Sequence, residues 1–148
     1  MDGSADTLAL LREYLEYEGF EVETCNLARL RLEGGDIAEA VVNAKPHVVV
    51  FDIALPYEAN WAACCKLQDD PRIDAPFVLT TTNRSAVERL TCARDVIEIL
   101  GKPYDLEHFA RAVRAAARRR ERRPVDADDR RGMDRRVGDR RHYDRRRP

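Results

Sequence analysis

The stretch Lys45-Pro46-His47-Val48-Val49-Val50-Phe51-Asp52-Ile53-Ala54-Leu55-Pro56 decides the fold. Four consecutive apolar residues, Val48 to Phe51, three of them β-branched, run straight into Asp52. A short unbroken apolar run bounded by prolines predicts a strand buried on both faces, the habit of a parallel sheet. A carboxylate at the carboxyl end of such a strand stands where open α/β sheets bind their ligands. Taken alone, Asp52 reads equally well as a cap for the turn that follows.

Outward from this strand, helical and extended patterns alternate. Asp6 is placed to cap a helix running to about Glu18, with Leu8, Leu11 and Leu15 at helical spacing and Gly19 as its stop. Phe20, Val22 and Thr24 alternate with Glu21, Glu23 and Cys25, which predicts a half-buried strand. Residues 27–35 read as loop with room for a short helix. Asp36 caps a helix with Ile37, Ala40, Val41 and Ala44 on one face, ended by Pro46. Leu55 to Asn60 reads as loop and Trp61 to Gln68 as helix, with Trp61 a core anchor. Phe77 to Thr80 and Val96 to Leu100 are further strands, separated by a helix from Ser85 to about Thr91. Asp105 caps the last helix, whose apolar stripe is Leu106, Phe109, Ala110, Val113 and Ala117.

Strands alternating with helices imply βαβ units and a parallel sheet covered on both faces. Asp52, Thr81 and Lys102 then fall at or just past three strand ends, which lie side by side in such a sheet. A carboxylate, a hydroxyl and an ammonium converge on one crevice.

Composition narrows the class. Residues 1–110 carry 10 Lys/Arg against 20 Asp/Glu, a net of −10, while residues 111–148 carry 16 against 7, a net of +9. The near-neutral total hides an acidic body and a basic end. Cys25, Cys64, Cys65 and Cys92 form no C-x-x-C pair and lie away from the three histidines, so they read as buried thiols of a reducing cytosol. No apolar run approaches the ~18 residues of a membrane span, and the acidic N-terminus lacks a signal-peptide pattern. A cytoplasmic protein is expected. A dinucleotide-binding turn G-x-G-x-x-G is absent.

In combination, Val48-Val49-Val50-Phe51-Asp52-Ile53-Ala54-Leu55-Pro56, Pro76-Phe77-Val78-Leu79-Thr80-Thr81-Thr82 and Gly101-Lys102-Pro103-Tyr104-Asp105 resemble the receiver domain of two-component response regulators. Asp2-Gly3-Ser4-Ala5-Asp6-Thr7 is similar to that family's acidic loop before the first helix. The resemblance covers Met1 to about Arg118. It implies a flavodoxin-like doubly wound sheet of order 2-1-3-4-5. It further implies Asp52 as phospho-acceptor, Thr81 as a ligand of a phosphoryl oxygen and Lys102 as partner of its charge. Asp2, Asp52 and the backbone carbonyl of Ala54 are implied as ligands of Mg²⁺. The implied partners are a histidine kinase or phosphotransfer protein and a downstream protein; no membrane is involved. Gly3 stands where the family carries a second acid, Ile99 where an aromatic residue is common, and Glu58 lies in an unusual loop after Asp52.

The chain therefore reads as a receiver domain at 1–118 and a disordered Arg/Asp-rich tail at 119–148. Function is read as a stand-alone phosphorelay receiver that signals by protein contact and is not an enzyme. The alternative is a phosphorylation-independent pseudo-receiver adaptor, with nucleic-acid contact through the tail. Haloacid-dehalogenase-like phosphatases need a second Asp two residues after the nucleophile, and that position is Ala54. In the tail Asp-Arg-Arg recurs every five residues from Asp129, neither a helical nor a strand period. One residue precedes Asp2, so the first strand of such a sheet is expected to be almost wholly missing, leaving four. The true start is then expected upstream of Met1.

Overall fold

The apolar run before Asp52 forms strand β1 (Val49–Asp52), the edge of a three-stranded parallel sheet with β2 (Phe77–Thr81) and β3 (Val96–Gly101) in the order β1-β2-β3. Val49 pairs with Phe77 and Asp52 with Thr80; Thr80 in turn pairs with Leu100 and Thr81 with Gly101. The computed structural model describes residues 1–90 and 96–122. Thr91, Cys92 and the five-residue repeats lie outside the described residues.

Six helices fill the connections: α1 (Ala5–Tyr17), α2 (Leu27–Leu32), α3 (Ile37–Ala44), α4 (Tyr57–Asp69), α5 (Arg84–Leu90) and α6 (Leu106–Glu121). Side-chain alternation divides them between the sheet faces. Val49, Phe51, Ile53, Phe77 and Leu79 point one way, against Leu27 of α2, Val41 of α3, Cys64 and Leu67 of α4 and Val87 of α5. Val78 and Leu100, with half-buried Val48 and Val50, face the other way, against Leu15 of α1 and Phe109, Ala110, Val113 and Ala116 of α6. This is a doubly wound, flavodoxin-like α/β arrangement.

Local chemistry sets the boundaries. Ser4, not Asp6, caps α1: its side chain accepts from the Thr7 N–H, and Asp6 lies in the first turn. Asp36 caps α3 through the Ala38 N–H, and Lys45 ends it in the left-handed region at φ 47. The expected loop at 55–60 is instead partly helix, because α4 begins at Tyr57 directly after Pro56, whose fixed φ suits a helix entry. Trp61 is half-buried against the core, as an anchor residue should be. Asn83 rather than Ser85 caps α5, accepting from the Ala86 N–H at 3.1 Å. α6 runs three residues past the boundary expected at 118.

The strand expected at Phe20–Cys25 is not formed, so the described sheet has three strands rather than four. Phe20 and Val22 are half-buried in alternation with exposed Glu21 and Glu23, but Thr24 is exposed and Cys25 half-buried, so the phase slips. A strand also needs a ladder, and among the described residues the backbone beside this segment is that of Met1–Asp2. That dipeptide bridges the gap. The Met1 amino group donates to the Val50 carbonyl at 2.8 Å and the Asp52 N–H donates to the Met1 carbonyl at 3.0 Å. On its other side the Asp2 N–H donates to the Cys25 carbonyl at 3.3 Å and the Leu27 N–H to the Asp2 carbonyl at 3.0 Å. One isolated bridge, Asp2 to Asn26, is the result.

The same edge of β1 continues past these bonds. Val50 N–H and the peptide groups of Val48 point that way by strand parity, and among the described residues no partner is recorded for them. Burial also holds the Met1 amine below its ordinary value of 8.0. A variant carrying about five added apolar residues before Met1 should gain about 1 kcal/mol in urea denaturation, the typical net worth of a backbone hydrogen bond it would add. Unchanged stability would show that residues 20–25 already close this edge.

Candidate functional site

Three strand or segment ends meet at the carboxyl edge of the sheet. β1 delivers Asp52, the bridge segment beside it delivers Asp2, and the turn after β3 delivers Lys102. Asp2 and Asp52 are 6% and 7% exposed, unusually low for carboxylates. The Lys102 ammonium donates to Asp2 Oδ2 at 2.9 Å and lies 2.8 Å from Asp52 Oδ1. Burial alone would lower the lysine's pKa; hydrogen bonds to Asp52 and Asp2, with their charges, outweigh it and hold the group above its ordinary 10.5. The backbone fixes Lys102 as well, its N–H donating to the Thr81 carbonyl at 2.6 Å.

The hydroxyl that touches Asp52 belongs to Thr80. Its Oγ1 donates to Asp52 Oδ1 at 2.8 Å, as follows from direct cross-strand pairing of the two residues. Thr81 is fully buried; its hydroxyl donates to the Ile53 carbonyl at 2.8 Å and accepts from the Asn83 N–H at 3.1 Å. Thr81 thus pins the β1–α4 turn to the β2–α5 turn. Asp52 Oδ1 is held by Thr80 and Lys102, while among the described residues no hydrogen bond is recorded to Asp52 Oδ2.

Two further residues escaped the sequence reading. Asn60, 5% exposed on the first turns of α4, donates through Nδ2 to the Ala54 carbonyl at 2.8 Å. Its Oδ1 accepts from the Arg31 guanidinium at 2.8 Å. A guanidinium only donates, so the amide orientation is determined. Ala54, the carbonyl implied as a metal ligand, therefore already accepts one hydrogen bond and has one lone pair left. An asparagine assigned to a loop carries no such signal; only the earlier start of α4 turns it inward.

The donor chemistry suits a hard divalent cation at its minimum. Asp2 Oδ2 and Asp52 Oδ1 converge on the single point that Lys102 Nζ takes, and the Ala54 carbonyl adjoins Asp52 in sequence. Mg²⁺ accepts one or two carboxylates with water and phosphate completing the shell. Among the described residues no group of three His, Cys, Asp or Glu side chains is placed to hold a metal. Glu58 is exposed and no contact with the cluster is recorded for it among those residues. At Gly3 an added Cβ would meet nothing within 4 Å, so an acid fits there.

No family model matches the chain. It is 30% identical over 112 residues to the response regulators MprA of Mycobacterium sp. strains KMS, JLS and MCS. The match covers 74% of this chain and 45% of each relative, so the chain spans just under half the length of the curated relatives it matches. The crystal structure of a sensor protein from Polaromonas sp. JS666 superposes with a TM-score of 0.63 at 23% identity, over 80% of this chain and 93% of that one. That likeness shows the fold. Together with the response-regulator matches and the order of elements, it places this chain among the receiver domains of response regulators.

Removing the ammonium should leave two buried carboxylates facing each other. Lys102→Met is expected to cost about 3 kcal/mol, the low end for a broken buried pair because the lysine is partly exposed. Adding Asp2→Asn should restore part of the loss. Because the folded pKa of Lys102 is raised, its contribution is complete below 10.5 and lost as pH rises through the folded value. The gap between wild-type and Lys102→Met urea midpoints should therefore shrink above pH 10.5. A gap that is constant or widens there would contradict this assignment.

Proposed function

We propose that Asp52 accepts a phosphoryl group from a phosphohistidine on a histidine kinase or phosphotransfer protein, and that the phosphorylated domain signals by contact with a downstream protein in the cytoplasm. The observation that carries this reading is the asymmetry of Asp52. One oxygen is anchored by Thr80 and Lys102, and the other has no recorded hydrogen bond. An anchored carboxylate with one oxygen left over is oriented for attack, and orientation is most of what a weak nucleophile needs.

In the step proposed, Asp52 Oδ2 forms a bond to phosphorus as the P–N bond to the donor imidazole breaks. The departing ring nitrogen takes a proton, and the product is an acyl phosphate. Lys102 then faces a group more negative than the carboxylate it replaces, and its contact with Asp52 carries over to the phosphoryl oxygens. Thr81 supports the reading through position, since it locks the two turns that flank the incoming group. Mg²⁺, when bound, would neutralise phosphoryl charge. Asp2, Asp52 and the Ala54 carbonyl would hold it, with Lys102 yielding its contact to Asp2. The domain accepts the group and does not turn over a free substrate.

Gly3 favours a second reading, a phosphorylation-independent adaptor, because it removes the acid that would strengthen cation binding. Incubation with acetyl phosphate and Mg²⁺ separates the two. A base-labile adduct should form on the wild type and be lost in Asp52→Asn with the fold intact. Gly3→Asp should raise Mg²⁺ affinity roughly tenfold, equivalent to about 1.4 kcal/mol, read by fluorescence of the sole tryptophan, Trp61. No adduct on a folded, Mg²⁺-saturated wild type would select the adaptor. Undiminished labelling of Asp52→Asn would remove Asp52 from the chemistry.

A further inference from the structure

The arginines of α6 and its C-cap residue Arg122 divide into two sets. Arg114 and Arg120 face the body. Arg114 donates to the Glu18 carboxylate at 3.1 Å and lies 5.4 Å from the centre of the Phe20 ring. Arg120 donates to the Pro46 carbonyl at 3.2 Å and approaches Asp74 at 4.0 Å. These two tie the helix down. Arg111, Arg118, Arg119 and Arg122 are exposed, and among the described residues no ion pair is recorded for any of them. Glu107, one turn before Arg111, makes no recorded bridge to it either. Elsewhere Arg12, Arg29 and Arg84 each reach a glutamate four residues on.

The second set shares one face of the helix, with exposed Ala115 completing it. The stripe spans about 16 Å at roughly 1.5 Å per residue. In sequence, after six intervening residues, Asp-Arg-Arg recurs every five residues from Asp129, each repeat carrying net positive charge. We propose that the outer face of α6 is a docking surface for the phosphate backbone of duplex DNA.

Charge complementarity selects a polyanion, and the rest of the face selects among polyanions. An acidic protein partner would need an apolar or aromatic anchor at the centre of the contact, and Ala115 is the only apolar residue here. A single strand would stack its bases on aromatic side chains, and none is interleaved with the arginines of this helix face. An anionic membrane would draw in the apolar face of the helix, but Phe109, Ala110, Val113 and Ala116 are buried against the sheet. What remains is sequence-independent contact from guanidinium forks to closely spaced phosphates. The inference rests on α6 and is independent of the chemistry at Asp52.

The test uses the full chain and a short fluorescent duplex of mixed sequence, followed by anisotropy between about 50 and about 200 mM salt. Arg111→Gln/Arg118→Gln/Arg119→Gln/Arg122→Gln removes the stripe at solvent positions. Arg12→Gln/Arg29→Gln/Arg72→Gln/Arg84→Gln removes the same charge elsewhere. Circular dichroism confirms both folds, and Arg118→Gln alone serves if the fourfold variant unfolds. The wild type should bind the duplex with log affinity falling as log salt rises. Each stripe arginine removed should flatten that slope by about 0.9, and the fourfold variant should bind about tenfold more weakly or worse at the lower salt. The control should match the wild type. Any of four results would overturn the proposal: no duplex binding at low salt, equal losses in stripe and control variants, an unaffected stripe variant, or tighter binding to single strands or phosphatidylserine vesicles than to the duplex.

Discussion

Two carboxylates buried on one sheet edge repel each other, and the ammonium of Lys102 between Asp2 and Asp52 makes their shared burial tolerable. Much of the molecule serves that contact. Asp2 is carried by bonds to Cys25 and Leu27 on one side, and its neighbour Met1 is bonded to β1 on the other. Asp52 ends a strand whose phenylalanine and flanking residues fill the core. Lys102 is clamped through its own N–H to Thr81, and Thr81 to Ile53. Three distant parts of the chain thus hold a positive charge at one point. A phosphoryl group or a divalent cation arriving there would reorganise existing interactions instead of creating a site.

The sheet was legible in the sequence wherever burial on both faces left a continuous apolar run. Val48–Phe51, Phe77–Thr80 and Val96–Leu100 read as strands, and each is one to within a residue or so at its ends. Phe20–Glu23 alternates as expected, but the phase slips at Thr24 and Cys25 and no strand forms, since alternation says nothing about whether a neighbouring backbone exists. At the site, Asp52 and Lys102 declared themselves by standing at strand ends. The Thr80 contact did not, since it follows from the register that pairs Thr80 with Asp52. Asn60 was hidden by a boundary error: a helix starting at Tyr57 turns it toward Ala54, and a loop would not.

The charge asymmetry also takes on a structural meaning. The basic end of the sequence is not all tail: Arg111, Arg114, Arg118, Arg119 and Arg120 belong to α6. Two of them, Arg114 and Arg120, are consumed by contacts with Glu18, Pro46 and Asp74, while Arg111, Arg118 and Arg119 are left facing solvent. A helix that is apolar inside and arginine-rich outside joins the core of the receiver domain to whatever its basic surface meets.

We propose that the Asp2–Lys102–Asp52 cluster is a phosphoryl-accepting site held ready by its lysine. A crystal structure with Mg²⁺ and beryllofluoride, a mimic of an acyl phosphate, tests it most directly. Beryllofluoride is expected on Asp52 Oδ2, with Lys102 turned from Asp2 to the fluorines and the cation on Asp2, Asp52 and the Ala54 carbonyl. A structure from the same solution with Lys102 still bridging both carboxylates and nothing bound to Asp52 would contradict it.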